Sequence, residues 1–188
     1  MPESKVSIFE ERQKWKARQL HSGDDFIEKL PKIELHVHIE GTMTPELRWK
    51  LACRNGITLT TGNQKIPLPS LQDTKEAYRH IRGRIGASSA DALTNMTFFE
   101  AYYGGFDLLQ TEEDYYDLAM GYFQHAAQTN IRYCEPFFDA QGHTRRGISM
   151  EVIMRGFQKA QTYAEEHLNV RFCVYNFERW LRSNTDQG

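Results

Sequence analysis

Apolar and polar residues alternate without interruption from Ile33 to Glu40, the period of two expected for a half-buried β-strand. One face of this strand is predicted to carry the apolar side chains of Ile33, Leu35, Val37 and Ile39. The other face is predicted to carry the polar side chains of Glu34, His36, His38 and Glu40. Gly41 ends the strand, so two histidines and two acids are expected near its carboxyl end.

Two further strands and several helices follow along the chain. Residues 131–138 and 170–175 are short runs rich in aromatic and aliphatic residues, which predict strands. Helices are predicted over residues 90–109, 111–129 and 149–167, the first of them rich in aromatic side chains. Residues 57–74 contain Gly62, Pro67 and Pro69 and are predicted to form a loop.

Capping signals mark where several helices begin and end. Thr44–Pro45–Glu46 supplies a hydroxyl N-cap, a proline at the first helical position and an acid in the first turn, and Gly56 ends that helix. Residues 111–114 form a capping box before the next helix, and Ser149 caps the last one.

The order strand, helices, strand, helix, strand predicts an α/β fold with parallel strands. No repeat and no linker interrupts it, so residues 1–188 are expected to form a single partial domain with a polar helical lead-in over 1–30. Three strands cannot close a (β/α)8 barrel, which takes about 250 residues.

Composition excludes several kinds of partner. The chain has 23 Lys+Arg against 25 Asp+Glu and a net charge of -2. We therefore expect no strong positive electrostatic field that would attract nucleic acid or anionic lipid. No stretch approaches the ~20 apolar residues that span a bilayer, and residues 1–31 lack the apolar run of a signal peptide. Cys53, Cys134 and Cys173 are widely spaced and form no CxxC pair. We therefore expect a cytoplasmic protein with no nucleic-acid or membrane partner.

The clearest candidate for chemistry is His36–Val37–His38. Side chains at i and i+2 of a strand point to the same side, so the two imidazoles can share one zinc ion at about 2.0–2.1 Å each. A bare HxH is more often a surface pair than a metal site. The apolar alternation before it and the Glu40–Gly41 turn after it strengthen the metal interpretation.

Residues 30–42, LPKIELHVHIEGT, resemble the opening of the adenosine/adenine deaminase family, whose pattern is PKxELHxH[LI][DE]G. The resemblance extends over about residues 28–175. It includes the segments Pro45–Glu46, 52–56, Tyr102–Tyr103, 109–112 and 135–139.

The resemblance implies the N-terminal part, about three strands, of a TIM-type (β/α)8 barrel, with His36 and His38 as metal ligands. It also implies a zinc-dependent hydrolytic deaminase acting on a small-molecule purine. Zinc acidifies a bound water toward a pKa of ~7, and the hydroxide adds to the amidine carbon of the purine.

The resemblance favours adenine over adenosine as the substrate of the parent enzyme. Glu40 stands where adenosine deaminases usually carry an aspartate that binds the ribose, and a longer acid fills space that a ribose needs. Residues 138–149 resemble the FxPQxHxxRGIS segment of adenine deaminases, with Ala140 in place of proline. Glu40 and Asp139 are therefore the expected substrate-binding residues, although Asp139 is equally suited to a turn and His143 is expected to be a loop histidine.

The resemblance ends after Tyr175, and residues 176–188 form a divergent tail. The family's third histidine, catalytic glutamate and metal-binding aspartate have no counterparts, so no catalytic residue is assigned. The chain is then a fragment or truncated product, a non-catalytic relative that binds a partner, or a half that self-associates through an open barrel edge. We expect no deaminase activity from these 188 residues alone.

Overall fold

A computed structural model describes residues 25–61, 65–82 and 98–172 of the chain, together with Lys14 and Ala17. The chain forms two compact units, Met1–Pro31 and Lys32–Gly188. The boundary at Pro31 falls where the sequence places the end of the lead-in. In the first unit a single turn of helix, α1 (Phe26–Lys29), carries an ion pair between Lys29 and Asp25. The assignment of all 188 residues to one domain stays a prediction.

The second unit is built on a three-stranded parallel sheet in the order β1 (Lys32–His38), β4 (Ile131–Phe137), β5 (Arg171–Phe172). A separate antiparallel pair, β2 (Thr60–Thr61) and β3 (Ile66–Pro67), lies within the predicted loop. The parallel pairing of β1 with β4 confirms the predicted α/β class, and the sheet is part of a TIM-type barrel. The end of the third predicted strand, 173–175, lies outside the described residues.

Helices join and cover these strands. Those of the second unit are α2 (Pro45–Asn55), α3 (Leu71–Arg82), α4 (Phe98–Tyr103), α5 (Glu112–Gln128), α6 (Ala140–Thr144) and α7 (Met150–His167). Two short 3₁₀ helices span Ile39–Thr42 and Phe106–Leu108. In the part of the chain that the structure describes, no helix has the length and apolar character needed to cross a bilayer.

The predicted caps are confirmed. The Thr44 hydroxyl accepts from the backbone N–H of Leu47, and Gly56 adopts φ 65° at the end of α2. Thr111 and Asp114 form the reciprocal capping box of α5. The Ser149 hydroxyl accepts from the backbone N–H of Val152 at the start of α7. Local hydrogen-bonding groups therefore fix these helix ends.

Two helix assignments differ from the sequence-based expectation. Helix α3 begins at Leu71, inside the predicted loop 57–74, where the Ser70 hydroxyl accepts from the backbone N–H of Asp73 at 3.2 Å. The helix predicted over 90–109 is described from 98 onward. There it stops at Tyr103 and gives way to the 3₁₀ turn after Gly104 and Gly105, because glycine favours helix ends. Residues 90–97 lie outside the described residues.

The strict alternation predicted for β1 is wrong at its centre. Glu34 pairs with Cys134 and Val37 pairs with Pro136, so three steps along β1 oppose two along β4, which defines a bulge. A bulge shifts the alternation by one residue. Glu34 therefore shares the helix-covered face with Val37, and the Tyr122 hydroxyl of α5 donates to its carboxylate at 2.6 Å. Ile33 and Leu35 are exposed instead of joining the core.

The core lies between the sheet and the helix pair α5 and α7. Phe123 of α5 meets Phe172 of β5 edge-on at 4.7 Å, and Tyr115 of α5 meets Phe157 of α7 at 5.7 Å. Gly156 lets the two helices approach closely, since a Cβ there would lie 2.5 Å from the Glu112 carbonyl oxygen. This packing holds the carboxyl ends of β1 and β4 side by side.

Candidate functional site

The histidines of β1 lie beside an aromatic side chain of β4 at the carboxyl end of the sheet. The ring centroids of His36 and His38 are 5.8 Å apart, and both rings pack on Phe137, at 5.0 and 6.0 Å. Both histidines are exposed. Active sites of parallel barrels form at this end of the strands, where loops add further groups.

Tyr102 and Asp139 bring two more polar groups to His38. The Tyr102 hydroxyl donates to Asp139 Oδ2 at 2.8 Å and lies 3.3 Å from His38 Nδ1. Asp139 Oδ1 lies 3.4 Å from the same nitrogen. Because the single phenolic proton is directed to Asp139, both oxygens next to Nδ1 act as acceptors. These partners favour the proton on Nδ1 and leave Nε2 of His38 free to bind a metal.

Tyr102 keeps its proton in this environment. Burial raises the pKa of the Tyr102 phenol, and the negative charge of Glu40 and the hydrogen bond to Asp139 raise it further. The hydroxyl is therefore a donor throughout the neutral pH range.

Glu40 lies directly behind this group and is 0% exposed. Its Oε1 accepts from the backbone N–H of Asp139 at 2.7 Å and lies 3.0 Å from His143 Nε2. Its Oε2 lies 3.5 Å from the Tyr102 hydroxyl. These bonds join the 3₁₀ helix after β1 to the segment after β4, so Glu40 fixes the position of the Asp139 backbone.

His143 of α6 completes the buried pair and is also 0% exposed. Its Nδ1 lies 3.0 Å from the Tyr115 hydroxyl and 3.3 Å from Nη2 of Arg146, which can only donate. Nδ1 is therefore an acceptor, and Nε2–H donates to Glu40. The ring also stacks on Phe106 at 4.6 Å. His143 is a buried structural partner of Glu40 and not the loop histidine expected from sequence.

The structure brings together the four residues singled out from the sequence: His36, His38, Glu40 and Asp139. The sequence predicts that the aromatic side chains of the predicted helix 90–109 are mostly core, with one or two lining the purine pocket, and it does not single out Tyr102. The only sequence signal for it was the Tyr102–Tyr103 pair in the family resemblance. Gln141, two residues after Asp139, is exposed on α6.

The residues present fit part of a zinc site. His36 and His38 offer two imidazoles from one face of a strand, and His38 has the oriented Nδ1 that metal-binding histidines usually show. Catalytic zinc takes three protein ligands and a water. Within residues 25–61, 65–82 and 98–172, no group of three or more His, Cys, Asp or Glu side chains is placed to hold a metal.

Comparison with known proteins identifies the family. Residues 31–183 match the sequence model described as Adenosine deaminase, and the chain belongs to that family. It is 40% identical over 145 residues to the adenine deaminase of Rhodospirillum rubrum, covering 77% of this chain and 38% of that relative. It is 42% identical over 147 residues to an uncharacterised deaminase of Schizosaccharomyces pombe, covering 77% of this chain and 37% of that relative.

A solved structure supports the same assignment. The adenine deaminase of Arthrobacter aurescens matches with a TM-score of 0.60 at 34% identity, over 77% of this chain and 38% of that one. The chain thus spans about 38% of the length of the relatives that it matches. Residues 31–183, which the family model matches, include all three strands of the parallel sheet.

Proposed function

We propose that this chain is part of a zinc-dependent hydrolytic purine deaminase that converts adenine and water to hypoxanthine and ammonia. The observation that carries the proposal is the exposed His36 and His38 pair, with His38 oriented by Asp139 and Tyr102. The adenine deaminases among the relatives support the choice of reaction.

His36 and His38 are the proposed metal ligands in this chain. Bound zinc would acidify a water molecule and so supply the hydroxide for attack on the purine. His38 presents Nε2 because Asp139 and Tyr102 occupy the other side of its ring. Phe137 packs against both rings and restricts their rotation.

Asp139 and Glu40 are the proposed substrate-binding residues, in different ways. The side chain of Asp139 is 39% exposed and can meet a polar group of the purine directly. Glu40 is buried and acts through the two groups that it holds, the Asp139 backbone and the Tyr102 hydroxyl. A carboxylate held by a backbone N–H and by His143 is preorganised, which lowers the cost of ordering the site when the ligand binds.

Adenine is proposed over adenosine because several relatives are adenine deaminases and because Glu40, one methylene longer than aspartate, reaches His143. Together the two side chains fill the space behind Asp139 without leaving either exposed. The alternative, conversion of adenosine to inosine, is favoured by the family name alone. In a full-length protein, kcat/KM for adenine should exceed that for adenosine. Glu40→Asp, which shortens the acid by one methylene, should reduce the ratio of kcat/KM for adenine to kcat/KM for adenosine. If kcat/KM for adenosine is the larger one in the unaltered enzyme, the assignment to adenine is wrong.

We further propose that the 188 residues alone do not turn over adenine, because they supply two of the required metal ligands and no assigned proton donor. The alternative function is a non-catalytic, deaminase-like binding protein. Zinc content of the purified chain with added zinc separates an incomplete deaminase site from a non-catalytic binding protein. Ammonia release from adenine, measured on the same sample, tests the proposed inactivity. Substoichiometric zinc that is lost in His36→Ala but kept in the control His125→Ala supports an incomplete deaminase site. Turnover that His36→Ala abolishes would contradict the proposed inactivity.

A cytoplasmic location is proposed from the three widely spaced cysteines. Of these, Cys53 and Cys134 are free thiols in the described part of the chain. Reducing compartments maintain such thiols. Fractionation of cells that produce the full-length protein tests the location, and recovery in an oxidising compartment would contradict it.

A further inference from the structure

A cavity of about 640 Å³ borders the candidate site, with Gly41 and Tyr102 in its wall. Its wall includes Arg48 of α2, Lys75 and Tyr78 of α3, and Phe98 of α4. The proposed deaminase reaction uses none of these four residues. Because two of them are basic, the charge of the ligand that this cavity could bind can be inferred from its wall.

Arg48 is the unusual member of this wall because its guanidinium is buried and forms no ion pair with any side chain that the structure describes. The residue is 3% exposed, and Nε and Nη1 have no hydrogen-bond partner among the described residues. The guanidinium lies 4.6 Å from the centroid of the Tyr78 ring, a cation–π contact that offsets part of the cost of burial. A buried cation that lacks hydrogen-bonding partners is strongly unfavourable, so an added acceptor would stabilise Arg48 as it stands among the described residues.

The backbone around Arg48 leaves room for its planar group. A Cβ at Gly105 would lie 3.1 Å from both Nη1 and Nη2 of Arg48, so the glycine permits this close approach. Burial also lowers the pKa of Arg48, and arginine nevertheless remains charged at neutral pH. The fold thus holds a fixed positive charge against an apolar wall.

The acid closest to this charge in the cavity wall is already engaged. Glu46 Oε1 pairs with Lys75 Nζ at 3.0 Å, and both side chains are partly exposed, so this ion pair is screened by solvent. Among the wall residues named above, Arg48 and Lys75 outweigh the single carboxylate of Glu46. The cavity therefore has a net positive character, and two guanidinium N–H groups in its wall have no acceptor within the described part of the chain.

We propose that Arg48, assisted by Lys75, forms a binding site for a small oxyanion of the phosphate class in this cavity. A guanidinium presents two parallel N–H donors to such a group, and an ammonium adds a point charge. Nε and Nη1 are covered in this arrangement, and the Tyr78 ring packs against the guanidinium, so anion binding requires this ring to shift. The site uses neither the proposed metal ligands nor Asp139, and it shares only the wall residue Tyr102 with the candidate deaminase site.

The test is a titration of the full 188-residue chain, free of metal, with inorganic phosphate, followed by calorimetry and by the NMR resonance of the Arg48 side-chain Nε–H. Saturable binding that shifts this resonance is expected. Arg48→Met should weaken binding about tenfold or more, because charge-assisted hydrogen bonds are lost. Glu46→Gln should strengthen binding, since it frees Lys75.

Matched variants keep the outcome interpretable. Lys50→Met removes a cation from the same helix that pairs instead with Asp117, and it should leave the affinity unchanged. Arg48→Lys keeps the charge without the fork and should bind with intermediate affinity. If Arg48→Met fails to fold, the Nε–H resonance of the unaltered chain decides. A parallel titration with acetate distinguishes a phosphate from a carboxylate ligand, and stronger acetate binding overturns the phosphate assignment. An unshifted Arg48 resonance, or equal affinity in Arg48→Met, overturns the site.

Discussion

At the scale of single residues, one phenolic hydroxyl orients a candidate metal ligand. Tyr102 donates to Asp139 at 2.8 Å and lies 3.3 Å from His38 Nδ1. Tyr102→Phe should weaken zinc binding to the chain about tenfold, the lower end of what partners of metal-binding histidines contribute. A chelator-competition titration measures the change.

The neighbouring Tyr103→Phe provides the control for this prediction. Tyr103 is 58% exposed and lies on the same short helix, so removing its hydroxyl should not alter zinc affinity. Equal affinities for all three proteins would show that the Tyr102 hydroxyl does not orient His38.

A second prediction at the residue scale concerns Asp114, whose carboxylate is buried at the start of α5. Its oxygens accept from Arg54, Asn55 and the backbone N–H groups of Gln110 and Thr111. Although burial alone would raise the pKa of Asp114, these bonds hold that pKa below its ordinary value. Asp114→Asn should lower the free energy of unfolding by about 2 kcal/mol at neutral pH.

The lowered pKa of Asp114 also fixes the pH dependence of this contribution. A carboxyl whose folded pKa is depressed stabilises the fold above its unfolded pKa of about 3.9 and loses that effect as the pH falls through the folded pKa. Chemical denaturation at a series of pH values should therefore show the unaltered chain and Asp114→Asn converging below about pH 4. Glu113→Gln, at a carboxylate that is 70% exposed and also meets Arg54, should have little effect at any pH. If the free energies of unfolding of the unaltered chain and Asp114→Asn still differ in acid, altered packing and not the charge of Asp114 explains the lower stability.

At the scale of elements, the approach of α5 and α7 depends on a missing side chain. A Cβ at Gly156 would lie 2.5 Å from the Glu112 carbonyl oxygen and 2.7 Å from Tyr115 Cβ, neither of which can move cheaply. Gly156→Ala should lower the free energy of unfolding by about 1–3 kcal/mol despite the better helix propensity of alanine. Denaturant unfolding measures the loss.

Gly121→Ala is the matched substitution within the same helix pair. The nearest atom to a Cβ there is Leu47 Cδ2 at 3.7 Å, an ordinary contact. Alanine should therefore be neutral or stabilising by up to about 1 kcal/mol. If both substitutions have the same effect, close helix contact at Gly156 is not the reason.

How far the sequence predicts these elements depends on whether the signal is local. The caps at Thr44, Thr111 and Ser149 were predictable because each signal lies within four residues. The bulge in β1 was not, because it arises from the register against β4, about a hundred positions later. Helix α3 was hidden by the glycine and prolines that precede it.

The residues of the candidate site also differ in whether a local sequence signal predicts them. His36 and His38 follow from the spacing of two residues, and Asp139 follows from its place after a strand. The burial of Glu40 against His143 and the placement of Tyr102 result from tertiary packing between α4, α6 and the sheet. The sequence pattern contains no direct signal for these contacts.

At the scale of the molecule, β1 is an edge of the three-stranded sheet in the described part of the chain. It carries Ile33 and Leu35, which are 66% and 56% exposed. Exposed apolar edge strands favour association between chains, so the isolated chain should self-associate as its concentration rises.

Leu35→Lys should reduce this self-association, because a charge on an edge strand opposes pairing. Sedimentation velocity over a range of concentrations measures it. Tyr163→Lys places the same charge on α7 at a residue that is 41% exposed, and it should not change the association. A monomer at every concentration would contradict the proposed use of this edge.

The contacts that build the candidate site also set the order in which the protein can assemble during synthesis. Glu40 and His143 are separated by 103 positions, and Glu40 and the Asp139 backbone by 99. Tyr102 meets His38 across 64 positions. The first strand therefore leaves the ribosome long before its partners, and at about 5–20 residues per second it waits several seconds until Asp139 and His143 are synthesised. Until then the carboxylate of Glu40 has neither of the two partners that it meets at Oε1 in the folded chain.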